Sequence, residues 1–144
     1  MSDVEELAGQ VSALLPQLAI RLVRFVRDLP ENVTVAQAFL LHHLRGHGAC
    51  TAAEVGEWMG VTSGPVTTLT KRLVARGLVE RRKDETDRRV VWFRLTREGD
   101  QLVEVLNQHS RNKWGLVIEE LGIDESRRAI TLMENTLKVL ARLR

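Results

Sequence analysis

VTSGPVTTLTKRLVARGLVERR, residues 61–82, decides how the chain is read. Its apolar residues recur at Val66, Leu69 and Leu73, the spacing of one face of a helix. On a wheel of about 100° per residue, Thr70 joins that face. Gly64, Thr67, Thr68, Lys71 and Ala75 gather on the opposite face, with Arg72 beside them. The helix is predicted from Ser63 to Arg76, with Gly77 as a left-handed stop. Gly and Pro in its first turn are poor helix residues. Pro65 costs no hydrogen bond there, because the first N–H groups of a helix have no intrahelical partner. Thr62 is expected to cap the N–H of Gly64. The result is a slim, polar helix end that carries the positive pole of the helix dipole.

Upstream, Thr51 and Glu54 have the spacing of a capping box and open a short helix ending near Met59-Gly60. Thr34 and Gln37 repeat that pattern for a helix to about Arg45, stopped by "GHG". Residues 4–27 read as a further helix, with Leu7, Val11, Leu14, Leu15, Leu18, Leu22 and Phe25 as its stripe. Pro16 is predicted to kink that helix or split it, and "DLPEN" ends it.

Downstream, residues 78–83 and 89–95 read as two strands joined through "DETD". Thr96 is expected to cap a long helix to about Leu121, whose stripe includes Leu102, Leu106, Trp114, Val117 and Ile118. "GID" breaks it, and Asp124 is expected to cap a last helix carrying Ile130, Met133, Leu137 and Leu140. The architecture expected is mainly α, with some β. Six helices are expected, the third and fourth forming a helix-turn-helix that is followed by a two-stranded β wing.

Charge is unevenly placed. The net charge is +2, yet residues 71–99 hold ten Lys or Arg against five Asp or Glu. A basic block on a nearly neutral chain suits an anionic partner, although a solvated surface has the same composition. The slim end of the 63–76 helix fits a DNA major groove, about 12 Å wide. Thr hydroxyls there can donate or accept, and Lys71 can reach guanine or a phosphate. Arg88 and Arg89 follow the hairpin loop, where a narrow minor groove attracts arginine. Asp87 is expected to hold one of them in a single rotamer. Arg81, Arg82 and Lys83 are expected along the preceding strand or near the DNA backbone.

Other classes are disfavoured. The 144 residues, 44% apolar and 28% charged, fit one folded domain. No apolar run long enough for a membrane helix occurs. The start "MSDVEELAGQ" lacks the basic region of a secretory signal, so a cytoplasmic location is expected. Cys50 stands alone and reads as a small buried residue. His42, His43, His47 and His109 are present, but no His-x3-His pair marks the long helix that carries His109, so metal sensing is disfavoured. No phosphate-cradling glycine loop or nucleophile turn is present, so no cofactor and no enzymatic activity are expected.

The segment MGVTSGPVTTLTKRLVARGLVERRKDETDRRVVWFRLTREG, residues 59–99, resembles the winged helix-turn-helix core of MarR-family transcription regulators. The Asp-Arg-Arg wing, the hydrophobic strand and the following Leu-Thr-x-x-Gly carry the resemblance. The order of helices on either side extends it over almost the whole chain. The resemblance implies a homodimer that binds double-stranded, pseudo-palindromic DNA. It also implies a repressor released by a small aromatic or phenolic ligand, an oxidant or a metal. It assigns Thr62, Ser63, Gly64, Pro65, Thr67, Thr68, Lys71 and Arg72 to the recognition helix. Arg88 and Arg89 match the wing arginines, and Asp87 the carboxylate that orients them. The helix start departs from the family in carrying Gly64-Pro65 instead of polar or basic residues, so fewer side chains are expected to read bases.

Residues 1–33 and 100–144 are expected to be dimerisation helices around a DNA-binding region, 34–99, within one continuous domain. Their apolar stripes exceed what a small winged core can bury. By the resemblance, an effector would sit between these helices and the DNA-binding core, with His42, His43 and Trp114 as candidates for its lining. The competing reading is a winged-helix protein-protein interaction module without specific DNA binding.

Overall fold

The computed structural model describes residues 2–143. Reciprocal capping bonds set three of the six α-helix starts. Ser2 and Glu5 open α1 (Asp3–Val26), Thr34 and Gln37 open α2 (Val35–His47), and Thr51 and Glu54 open α3 (Ala52–Met59). In each, the cap hydroxyl accepts from the third backbone N–H of the helix and that residue's side chain accepts in return. Pro16 does not split α1, which is one continuous helix. The helix is exposed around Pro16, so the carbonyl that loses its donor remains accessible to water. One residue on, the Gln17 side chain donates to the Ala13 carbonyl at 3.1 Å.

A 3-10 turn, Pro30–Asn32, joins α1 to α2. Glu31 and Asn32 both have positive φ, 59° and 52°, and Arg76 donates to the Glu31 carbonyl at 2.8 Å. The tight turn after α3 is built from two glycines. Gly60 caps the helix at φ 68°, and Gly56 approaches the next turn so closely that a Cβ would lie 2.7 Å from the Val61 carbonyl oxygen. This close approach sets α4 (Ser63–Ala75) against α3.

The sheet has three strands where the sequence suggested two. β1 (Cys50–Thr51) pairs antiparallel with β3 (Val91–Leu95), which pairs antiparallel with β2 (Val79–Lys83), in the order β1-β3-β2. Two residues are too few to show an alternating pattern, so β1 left no periodic signature. The register places Cys50 opposite Phe93, and Arg81 opposite Phe93 on the other edge.

Thr96 accepts from the Gly99 N–H at 3.0 Å and opens α5 (Arg97–Leu121). The last helix, α6 (Ile123–Arg142), begins earlier than Asp124: Gly122 takes the cap position and Asp124 lies in the first turn. Gly122 reaches φ 84°, which lets the chain reverse within one residue. Asp124 still faces the positive end of the helix dipole.

The chain falls into two compact units, Met1–Asn107 and Gln108–Arg144. In the first unit, Leu40, Leu41, Val55, Val66, Leu73 and Val103 are fully buried and form the centre of the core. No residue of α1 is buried, and Val4, Leu7, Val11, Leu14, Leu15, Leu18 and Val23 lie open, while Leu22 and Val26 are half-buried. In the second unit, α6 buries Ser126 alone, while Leu132, Met133, Leu137 and Leu140 are exposed. No helix among the described residues is long and apolar enough to cross a membrane.

Candidate nucleic-acid interface

The interface is built from α4 and the hairpin. Val66, Thr70 and Leu73 of α4 face the core, and the Thr70 hydroxyl donates to the Val66 carbonyl at 2.9 Å. The opposite face is therefore turned outward: Gly64, Pro65, Thr67, Thr68, Lys71 and Arg72 are all exposed. Ser63 opens the helix, and its side chain lies outside the described part of the structure. Thr68 donates to the Gly64 carbonyl at 3.4 Å.

Thr62 occupies the cap position with extended backbone, but its side chain makes no capping hydrogen bond. The physical reason is Pro65. Each hydroxyl cap elsewhere in the chain accepts from the third N–H of its helix, and proline has no N–H at that position. The start of α4 thus lacks the hydroxyl cap bond made at the Ser- and Thr-capped starts of α1, α2, α3 and α5.

The hairpin tip is ordered by two carboxylates. Asp87 accepts from the Arg89 backbone N–H at 3.0 Å and from its Nε at 3.2 Å. The Arg89 side chain nevertheless remains 91% exposed. Arg88 is exposed beside it. The second carboxylate, Asp84, was not singled out from sequence. It accepts from the backbone N–H groups of Thr86 and Asp87, from the Thr86 hydroxyl and from the Trp92 indole. Those bonds, led by the Thr86 hydroxyl, hold its carboxyl far below the usual carboxylate range. Four acids or hydroxyls crowd "DETD", and their spacing alone does not say which one turns inward.

Helix and hairpin share a cleft. Thr67 lines it together with Arg81, Arg89, Val91 and Phe93, over a volume of about 400 Å³. An adjoining hollow of about 310 Å³ adds Lys71 to Thr67 and Arg81. Arg81 is a cation of this cleft that the sequence placed only loosely along the strand. Arg72 lies on the other flank, in a hollow with Thr34, Ala75 and Arg76. Further along the hairpin, Glu80 pairs with Arg94 and Arg82, and Arg94 holds its carboxyl below the ordinary range. These pairs neutralise part of the basic block.

The residues considered for an effector belong to two different places. His43 stacks between His47 and Trp58 in the first unit, each pair of ring centroids 4.1 Å apart. Burial lowers the pKa of His43 and of His42. Trp114 lines an apolar hollow of about 270 Å³ in the second unit with Ile118, Leu121, Ile130 and Met133. Cys50 is buried, and burial with the nearby Glu54 raises its pKa, which suppresses the thiolate. Among the described residues no group of three or more His, Cys, Asp or Glu converges as a metal site.

Residues 31–90 match a family model described as the MarR family. The chain is 40% identical over 70 residues to the HTH-type transcriptional repressor MdtR of Bacillus subtilis, a match covering 49% of this chain and 45% of that protein. It thus spans about half that relative's length. It is 36% identical over 104 residues to the organic hydroperoxide resistance transcriptional regulator of Bacillus subtilis, covering 71% of each. The structure resembles that of a mutant MarR from E. coli complexed with operator DNA, with TM-score 0.74 and 25% identity over 94% of this chain and 99% of that one. The polar helix face, the arginine-tipped wing and these likenesses agree: the chain belongs to the MarR family of winged helix-turn-helix transcription regulators.

Proposed function

We propose that the protein is a cytoplasmic, ligand-responsive repressor that binds a pseudo-palindromic operator as a homodimer. The observation that carries the reading is the shared cleft, where Thr67 of α4 stands with Arg81 and Arg89 of the hairpin on one outward face. A duplex laid on that face would take α4 in its major groove and Arg89 in the adjacent minor groove. Thr62, Ser63, Gly64, Pro65, Thr67, Thr68 and Lys71 are the residues assigned to the major groove. Arg72 and Arg88 are assigned to phosphates or groove edges, and Asp87 orients Arg89. Few of these side chains are long, so DNA shape carries much of the specificity.

Pairing through α1, α5 and α6, the helices assigned to residues 1–33 and 100–144, is supported by their exposed apolar residues. Pairing would space two copies of α4 by about 34 Å, one turn of DNA. Repression is supported by the name of the relative MdtR. For a small aromatic or phenolic effector, the apolar hollow around Trp114 has suitable size and chemistry.

Selection of genomic fragments by the purified protein, followed by titration of the recovered site, tests the reading. Specific affinity should fall by roughly a thousandfold or more between 50 and 200 mM salt if six or more phosphates are neutralised. Failure to select any duplex at low salt would favour the protein-interaction alternative.

A further inference from the structure

Trp92 makes a hydrogen bond that contact with DNA does not require. It sits in β3, the central strand, with Thr51 opposite on one side and Arg82 on the other. Its backbone is therefore held by two neighbours. Its indole Nε1 donates to Asp84 Oδ1 at 3.0 Å. The other oxygen, Oδ2, accepts from Thr86 N at 3.0 Å, Thr86 Oγ1 at 2.6 Å and Asp87 N at 3.0 Å. Asp87 in turn binds the Arg89 backbone and guanidinium. The bonds form one series from the central strand to the exposed arginine.

We infer that Trp92 is a positioning residue for the wing, fixing the Asp84 carboxylate so that the hairpin tip, and with it Arg89, is preset for the minor groove. This inference rests on the DNA-binding reading above. Backbone bonds close the base of the loop: Asp84 N donates to the Val90 carbonyl and Val90 N to the Asp87 carbonyl, both at 2.9 Å. They leave the plane of the Asp84 carboxylate undetermined. Three of its bonds converge on Oδ2 from residues of the loop itself, so the loop and carboxylate could turn together. Among the described residues, the indole supplies the one side-chain bond that ties this carboxylate to the sheet. A hairpin needing only apolar cover at this half-buried position would be served by Phe. The N–H edge is what tryptophan adds. Asp84 remains ionised throughout the neutral range because its hydrogen-bond donors hold its pKa down, so the tether persists there.

A double-mutant cycle on the operator tests the inference, using the full-length protein. Trp92→Phe keeps the ring and removes the donor. It should weaken wild-type binding roughly tenfold, the scale of a lost hydrogen bond to a charged acceptor. In an Arg89→Ala background the same change should cost less than about twofold, because the residue to be positioned is gone. Equal losses in both backgrounds would make Trp92 a merely structural residue and overturn the inference, as would wild-type binding by Trp92→Phe. A second measurement needs neither DNA nor a foldable Phe variant. In the free protein the Trp92 indole Nε1–H should exchange slowly and shift in Asp84→Asn; rapid exchange and no shift would overturn it. If wild type binds no duplex while the indole signal behaves as expected, the DNA reading fails and the tether stands.

Discussion

A guanidinium enters a narrow groove at low entropic cost only if its direction is set beforehand. Arg89 meets that condition, since Asp87 grips it while leaving the side chain 91% exposed. Arg89→Ala should lower affinity for most duplexes and reduce the salt slope by about one. Lys71→Ala and Thr67→Ala should instead change which base is preferred, by about 1–3 kcal/mol at the affected position. Titrations against operator variants at two salt concentrations separate the two behaviours, and wild-type binding by all three would remove this face from consideration. A second residue-scale expectation concerns acid. His43 is shifted below its ordinary value of 6.5, chiefly by burial and then by His47, with Glu54 opposing. The unfolded chain therefore takes up this proton more readily than the folded one. The resulting stabilisation is present above pH 6.5 and declines as pH falls through the lowered folded value. Urea midpoints should drop between pH 7.5 and pH 5.5, and the drop should be smaller in His43→Phe.

The α3–α4 turn illustrates what a single element demands of its residues. Gly56 has no room for a Cβ, because the atom in the way is a backbone oxygen at 2.7 Å. Gly56→Ala should therefore cost about 1–3 kcal/mol through forced displacement of the turn. Gly60→Ala, where the difficulty is φ 68° and space is open, should cost about 1 kcal/mol. Thermal midpoints rank the two, and a neutral Gly56→Ala would mean that the turn yields. The start of α4 departs from local rules in the same region. Thr62 has a good cap residue's identity, yet Pro65 withdraws the N–H that such a cap uses. Local capping stability is given up where the DNA-facing end is proposed, as expected when function competes with propensity.

At the scale of the whole molecule, exposed apolar surface is the dominant feature. Leu7, Leu14 and Leu18 of α1 and Leu132, Leu137 and Leu140 of α6 are each more than half exposed in the single chain. Surface of that extent marks an interaction site. If the protein pairs as proposed, Leu137→Arg should shift sedimentation from dimer to monomer while keeping the helical circular dichroism. Operator affinity should fall roughly a hundredfold or more, since the two half-sites would no longer be bound by linked modules. An unchanged dimer would exclude Leu137 from the interface.

The order of six helices, two of the three capping boxes, the wing strands and the outward face of α4 were determined by the sequence alone. Each follows from residues within a few positions of one another: apolar spacing, a hydroxyl three residues before an amide or acid, a glycine stop. The tertiary structure decided what depends on residues far apart. It paired Cys50–Thr51 with β3, kept α1 whole through Pro16, and placed Arg81 in the cleft with Thr67. It also chose Asp84 over its acidic neighbours as the partner of Trp92. Strand pairing and carboxylate orientation depend on which surfaces meet after folding, and local periodicity carries no record of that.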